Sequence, residues 1–241
     1  MRFRLITYNI HKGIGGVDRR YRLERIVETL GHYDPDIVFM QEVAEGVPRS
    51  HRDHQIELLG AQLGLQHSAY QRNVQLSEGH YGNAILSRFP LYDVSHLELT
   101  VAPKKRRRAL VASCRIRKQH ERTLLLLNTH LGLAGFERAL QVRRILDCDR
   151  LRHTHSTTPV IVGGDYNDVY GTLNRRFMRP GGFMAATRQA RTFPAVMPMQ
   201  TLDHIYYRGS ITLHHSFPCR RQIARQASDH LPLVADFELP I

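Results

Sequence analysis

Six short polar clusters stand beside apolar runs in this chain: Asn9, Glu42, Asn128-Thr129-His130, Asp165-Tyr166-Asn167-Asp168, Asp203-His204 and Asp229-His230. Most carry amide, carboxylate or imidazole groups where a buried strand would run out into a loop. A carboxylate left there without a partner is costly, because burial strips its water. A cation shared among several removes that cost, and oxygen ligands suit a hard ion such as Mg2+ or Mn2+. The chemistry such a site performs is hydrolysis of a phosphate ester.

Glu42 follows Ile37-Val38-Phe39-Met40-Gln41, too apolar for a solvated face, so its carboxylate sits at the C-terminal end of a strand. Alone, Glu42 reads as a surface glutamate and Asn9 as a turn residue; repetition of the placement is what points to a site. In Gly163-Gly164-Asp165-Tyr166-Asn167-Asp168 the glycines permit a sharp exit from Val160-Ile161-Val162. An extended backbone would then put Asp165 and Asn167 on one face. The bland alternative for this hexapeptide is an Asx-rich turn. Asp203-His204 and Asp229-His230 each precede an apolar strand, and a carboxylate beside an imidazole fixes its tautomer and charge. Most of the 15 histidines must be incidental, and no His-x-x-x-His or cysteine pair accompanies these to favour zinc. Tyr81-Gly82-Asn83 offers a phenol and an amide. The run Lys104-Lys105-Arg106-Arg107-Arg108 could contact phosphates or anionic lipid; Arg108, next to Ala109-Leu110, is the member expected to be fixed by the fold, the others facing solvent.

The positioning elements follow from periodicity. Strands are expected over 2–9, 36–41, 84–87, 159–162, 202–207, 211–217 and 231–237, and a hairpin from 110–116 and 123–127 about a polar segment. Helices are expected over 21–30, 55–63 and 136–151, from apolar residues three and four apart. Strands alternating with amphipathic helices, with no tether or repeat, indicate a single mixed α/β domain over residues 1–241. At 42% hydrophobic and 23% charged residues the chain is not disordered in bulk. A formal charge of +12 attracts polyanions or anionic membrane surfaces. Three scattered cysteines, with Cys114 read as a buried thiol, suit a reducing compartment. With no signal peptide and no membrane span in the pattern, the expected place is the cytoplasm, with peripheral contact at the membrane surface an option. No obligate protein partner is implied.

In chain order, Thr7-Tyr8-Asn9-Ile10-His11, Gln41-Glu42-Val43, Tyr81-Gly82-Asn83-Ala84-Ile85-Leu86-Ser87, Asn128-Thr129-His130-Leu131, Gly164-Asp165-Tyr166-Asn167, Leu202-Asp203-His204-Ile205 and Ser228-Asp229-His230-Leu231-Pro232 resemble the endonuclease/exonuclease/phosphatase family. The resemblance implies a four-layer α/β sandwich, two central sheets with helices outside. It places Asn9, Glu42 and Asp229 at a divalent ion, Mg2+ or Mn2+. Asp165 would orient or deprotonate the attacking water, and Asn167 would hold a phosphate oxygen. His230, paired with Asp203, would bind the scissile phosphate, with His130, Tyr81 and Asn83 facing it. Arg108, Lys104 and Lys105 are candidates for substrate binding. The histidine after Asn128-Thr129 resembles the deoxyribonuclease, sphingomyelinase and phosphatase branches; the absence of Trp sets dedicated abasic-site repair below them. The expected activity is hydrolysis of phosphodiesters in nucleic acid or phospholipid. The alternatives are a phosphomonoesterase on a lipid or small substrate, and a catalytically silent binder of polyanions or membranes.

Overall fold

Ile37-Val38-Phe39-Met40-Gln41 is buried at every position because its strand is covered on both faces. In the computed structural model, which describes residues 1–117, 121–187 and 189–240, that strand is β2 (Ile37–Glu45), near the centre of the first of two six-stranded sheets. Its neighbours are β1 (Arg2–Asn9), parallel to it, and β4 (His80–Ser87), antiparallel. With β3 (His67–Gln75), β11 (Thr212–Pro218) and β12 (Leu233–Glu238), the order is β11-β12-β1-β2-β4-β3.

The second sheet has the order β5-β6-β7-β8-β10-β9. Its strands are β5 (Leu91–Glu98), β6 (Arg108–Arg117), β7 (Glu121–His130), β8 (Val160–Asp165), β9 (Met184–Ala185) and β10 (Asp203–Arg208). One apolar layer lies between the sheets, built from Phe3, Leu5, Phe39, Ile85, Leu110, Leu126, Ile161, Ile205 and Phe237 among others. Helices cover the two outer faces. On the first sheet, α1 (Leu23–Gly31) presents Leu23, Ile26 and Leu30, and α2 (Gln55–Leu63) presents Leu59. On the second, α3 (Gly135–Leu146) buries Val142 and Ile145, and the single turn α4 (Asp149–Arg152) buries Leu151. Each such aliphatic side chain contributes about 1.5–3 kcal/mol by leaving water. A last short helix, α5 (Gln222–Ala227), packs against α1.

The sandwich and the β6–β7 hairpin agree with expectation; residues 118–120 of its polar segment lie outside the described residues. Three strands escaped the pattern. The edge strands β3 and β5 read HSAYQRNVQ and LYDVSHLE, and β5 is nowhere fully buried, so neither needs an apolar stripe. The two-residue β9 is too short to show one. The helix expected over 136–151 is broken: Cys148 is extended (φ −68°, ψ 144°), separating α3 from α4. The glycines of 163–164 make no sharp exit either. They continue β8 to Asp165, and a Cβ on Gly164 would come within 1.9 Å of the Thr129 carbonyl oxygen on β7. Cys114 is buried between the sheets, and burial pushes its thiol up to about 12.

Strand alternation carries the inter-sheet layer to a polar end. Two residues beyond apolar members of the layer stand Thr7, Gln41, Gln71, Asn83, Arg108, Asn128 and Asp203, and four beyond stand Asn9, His130 and Asp165. All belong to strand ends on the same side of the molecule.

Candidate active site

Asn128 bolts the two sheets together where the layer turns polar. Its Nδ2 donates to the Met40 carbonyl (2.9 Å) and the Ala84 carbonyl (2.8 Å), and its Oδ1 accepts from Gln41 Nε2 (2.7 Å). Gln41 also reaches Thr7 Oγ1 at 3.1 Å. With the sheets locked in this way, side chains from both converge just beyond.

Asp165, the last residue of β8, lies at the centre and is almost wholly buried. Its Oδ2 accepts from Asn9 Nδ2 at 3.0 Å, with His130 Nε2 at 3.5 Å and His230 Nε2 at 3.6 Å. Burial pushes the Asp165 carboxyl up to about 6, against the pull of the His230 charge. His230 Nδ1 meets Asp203 Oδ2 at 2.8 Å, and Thr192 Oγ1 donates to the same oxygen at 2.5 Å. Burial works against the His230 charge, yet Asp203 and Asp165 together hold the imidazolium up to about 10. The Phe193 ring packs beside it, centroids 4.9 Å apart. His130 behaves oppositely: burial, Arg107, His230 and Lys12 keep it well below its ordinary range, hence neutral. The site thus holds one charged and one neutral imidazole on either side of a single carboxylate.

A second arc of oxygens borders this centre. Ser228 Oγ donates to the Asn9 carbonyl at 2.7 Å, pinning the Asp229-His230 loop onto β1. Asp229 is partly exposed, with Oδ1 at 3.8 Å from His11 Nδ1. Glu42 sits at a β-bulge between Met40 and Val43, with φ at 55°. Left-handed backbone at a non-glycine residue is strained, and a bulge re-aims a side chain. Here it carries the carboxylate onto the Lys12 ammonium, itself 4.9 Å from the centroid of the Tyr81 ring.

Asn167 corrects an expectation. Its φ of 50° leaves the extended region, so it does not share a strand face with Asp165. Its backbone N–H donates to Asp165 Oδ1 (2.9 Å) and its Nδ2 to the Leu131 carbonyl (3.0 Å), an Asx-type turn that holds the carboxylate still. Asp168 accepts from the Leu173 N–H and Thr172 Oγ1, tying up its own loop. His204 lies away from the centre, stacked on Tyr206 and edge-on to Tyr166. Asn83 donates to the Arg108 carbonyl at 3.1 Å.

In the basic run, Lys104 and Lys105 are exposed, and Arg108 Nε donates to Glu98 Oε2 at 3.0 Å. Arg107, expected to face solvent, is buried instead. Its N–H donates to Thr100 Oγ1 and its carbonyl accepts from the Leu99 N–H, extending the β5–β6 ladder and drawing it inward. Its charge is felt by His130 and Tyr81. Sequence reasoning also passed over Lys12, Thr192 and Ser228. Only Lys12 and Ser228 had a usable signal, as they lie inside or beside motifs already singled out.

The oxygen arc suits a hard cation. Glu42 already holds a positive group in Lys12, and Asn9 Oδ1, Glu42 and Asp229 offer an amide and two carboxylates, the ligands such an ion takes. Asp165, Asp203 and His230 also have ligand atoms within 4.8 Å of one another. His230 Nδ1 faces Asp203 and its Nε2 faces Asp165, so the trio as arranged is a proton-holding network.

Two mixed sheets flanked by helices, ending together in an acid–amide–imidazole cluster, define a deoxyribonuclease-like sandwich. The chain belongs to the Endonuclease/Exonuclease/phosphatase family, whose model matches residues 6–230. Members are generally hydrolases of phosphate esters and typically depend on a divalent metal. The uncharacterized protein YbhP of Escherichia coli (strain K12) is 32% identical over 257 residues, covering 98% of this chain and 96% of YbhP. The human Nocturnin catalytic domain, solved with a bound sulfate anion, superposes with a TM-score of 0.76 at 23% identity, over 99% of this chain and 95% of that one. ANGEL2, a 2′,3′-cyclic phosphatase solved with adenosine-2′,3′-vanadate, gives 0.74 at 17% identity, over 100% and 96%. At these identities the two structures share the fold. Among the described residues no helix is long and apolar enough to cross a membrane.

Proposed function

We propose that this protein is a divalent-metal-dependent phosphodiesterase that hydrolyses nucleic acid or phospholipid by water attack. The observation that carries the reading is Asp165 Oδ2 held buried between neutral His130 and charged His230, beside the Asn9–Glu42–Asp229 oxygens. Asn9, Glu42 and Asp229 would hold Mg2+ or Mn2+, which supplies positive charge to a phosphoryl oxygen. Asp165 accepts the proton of the attacking water at Oδ2. The Asn167 N–H and Asn9 amide fix the direction of that carboxylate. His230 presents its Nε2–H to a nonbridging oxygen as negative charge builds, while Asp203, steadied by Thr192, keeps the ring protonated. Neutral His130 can donate one hydrogen bond to the same phosphoryl group, beside Tyr81 and Asn83. ANGEL2, as a cyclic phosphatase on this fold, supports the diester over the monoester reading.

Purified protein should cleave bis-(p-nitrophenyl) phosphate or an oligonucleotide with Mg2+ or Mn2+ and stop in chelator. Release of inorganic phosphate from monoesters alone would replace this reading by a phosphomonoesterase. No turnover on nucleic-acid, phospholipid and monoester panels would leave a silent polyanion binder.

A further inference from the structure

A cleft of about 460 Å³ opens where the free edges of the two sheets approach, between the end of β3 and the loop leading into β6. It is lined by Arg72, Asn73, Val74, Gln75, Lys105, Arg106 and Arg108, with four cations and no carboxylate. Glu98, outside the lining, takes Arg108 at 3.0 Å and Arg106 at 3.7 Å. Arg72 and Lys105 have no carboxylate partner among the described residues.

Polar groups run from this cleft to the active site. Asn83 Nδ2 donates to the Arg108 carbonyl in the lining, and the charge of neighbouring Arg107 is felt by His130 and Tyr81. Among the described residues, Gln71 has neither amide atom paired, and Asn73 Oδ1 and Asn83 Oδ1 are also without partners. Asn73 is only 5% exposed and Gln71 1%. Left unpaired, each keeps its desolvation cost, and a ligand that pairs Asn73 Oδ1 in the lining recovers it. The cations ask for a phosphate. Asn73 Oδ1 asks for a hydrogen donor, which a phosphodiester lacks and a sugar hydroxyl or base edge supplies.

We propose that this cleft holds the phosphate and the sugar or base of the nucleotide next to the scissile bond, so that the substrate is a nucleic-acid strand with a second phosphate. The proposal rests on the phosphodiesterase reading for its meaning, but the cleft can be tested without turnover. In EDTA, fluorescence anisotropy of a 5′-fluorescein-labelled oligothymidylate should show R72Q/K105Q binding about tenfold more weakly than wild type. The slope of log K against log salt should fall by about 0.7, the loss for one single-strand phosphate contact. R152Q, an exposed arginine before β8, should match wild type. With metal, the double variant should lose kcat/KM on an oligonucleotide at least about tenfold more than on bis-(p-nitrophenyl) phosphate. Unchanged affinity and slope, or equal losses on both substrates, overturns the proposal. So does a double variant that loses binding to phosphatidylglycerol vesicles while keeping the oligonucleotide. If wild type turns over neither substrate, the phosphodiesterase reading falls, and the EDTA titration still decides the cleft.

Discussion

At one end of the inter-sheet layer Phe3, Ile37, Ile116, Leu124 and Phe237 fill the space between sheets; at the other, β1, β2, β7 and β8 present Asn9, Gln41, Asn128, His130 and Asp165. Both ends are equally dry. The apolar end excludes water and holds the fold together, by area alone. The polar end is held by directed links that cross from one sheet to the other, such as Gln41 to Asn128 and Asn9 to Asp165, and a few of its amide atoms stay unpaired. Substitutions at the apolar end should therefore unfold the protein, and those at the polar end should leave it folded and inert.

The largest separation is expected for Asp165→Asn. Loss of the proton acceptor should cut kcat on bis-(p-nitrophenyl) phosphate by about 10²–10⁴-fold, while the urea midpoint stays near wild type. A midpoint that collapses would break the distinction between the two ends. The converse is Phe39→Ala, which should cost about 3–5 kcal/mol in urea unfolding while the folded fraction keeps its turnover. Asn128→Ala should be the mixed case. It leaves two carbonyls and a Gln41 hydrogen buried without partners, about 1–3 kcal/mol each, and loosens the sheets at the site, so stability and rate fall together.

Smaller effects sharpen the picture. Glu42→Ala should raise the Mg2+ or Mn2+ concentration for half-maximal rate by roughly tenfold, with little change in unfolding midpoint. The pH profile of kcat/KM should be bell-shaped. Asp165 must be ionised to accept a proton, so rate rises with pH through about 6. His230 must be protonated to donate, so rate falls as pH rises through about 10. Asp203→Asn removes the partner that holds His230 up and should bring the alkaline limb down to lower pH. An alkaline limb that stays in place would remove His230 from its donor role.

The apolar end was legible in the sequence because burial on both faces leaves continuous runs such as Ile37–Met40 and Val160–Val162. The polar end was legible as a set of motifs, since strand termini rich in amides and carboxylates are conspicuous beside those runs. Their partners were not. Thr192 lies in a loop with no pattern of its own, yet it touches Asp203 from 11 residues away. Arg107 looked like one of several loop cations, and only the ladder with Thr100 turns it inward. The left-handed backbone of Glu42 and Asn167 is equally invisible in composition, because neither position holds glycine. The edge strands β3 and β5 stayed hidden for the opposite reason, having too little buried surface to constrain their residues.

Strand β12 lies between β11 and β1, and the Met1 ammonium donates to the Leu239 carbonyl across a separation of 238 residues. β1 is made long before β12, so one of its two edges stays open until that late strand arrives. Ser228, Asp229 and His230 arrive just ahead of the strand that closes it. Catalytic competence and completion of the first sheet should therefore appear in the same late, non-local folding step, with no active partial chain preceding it.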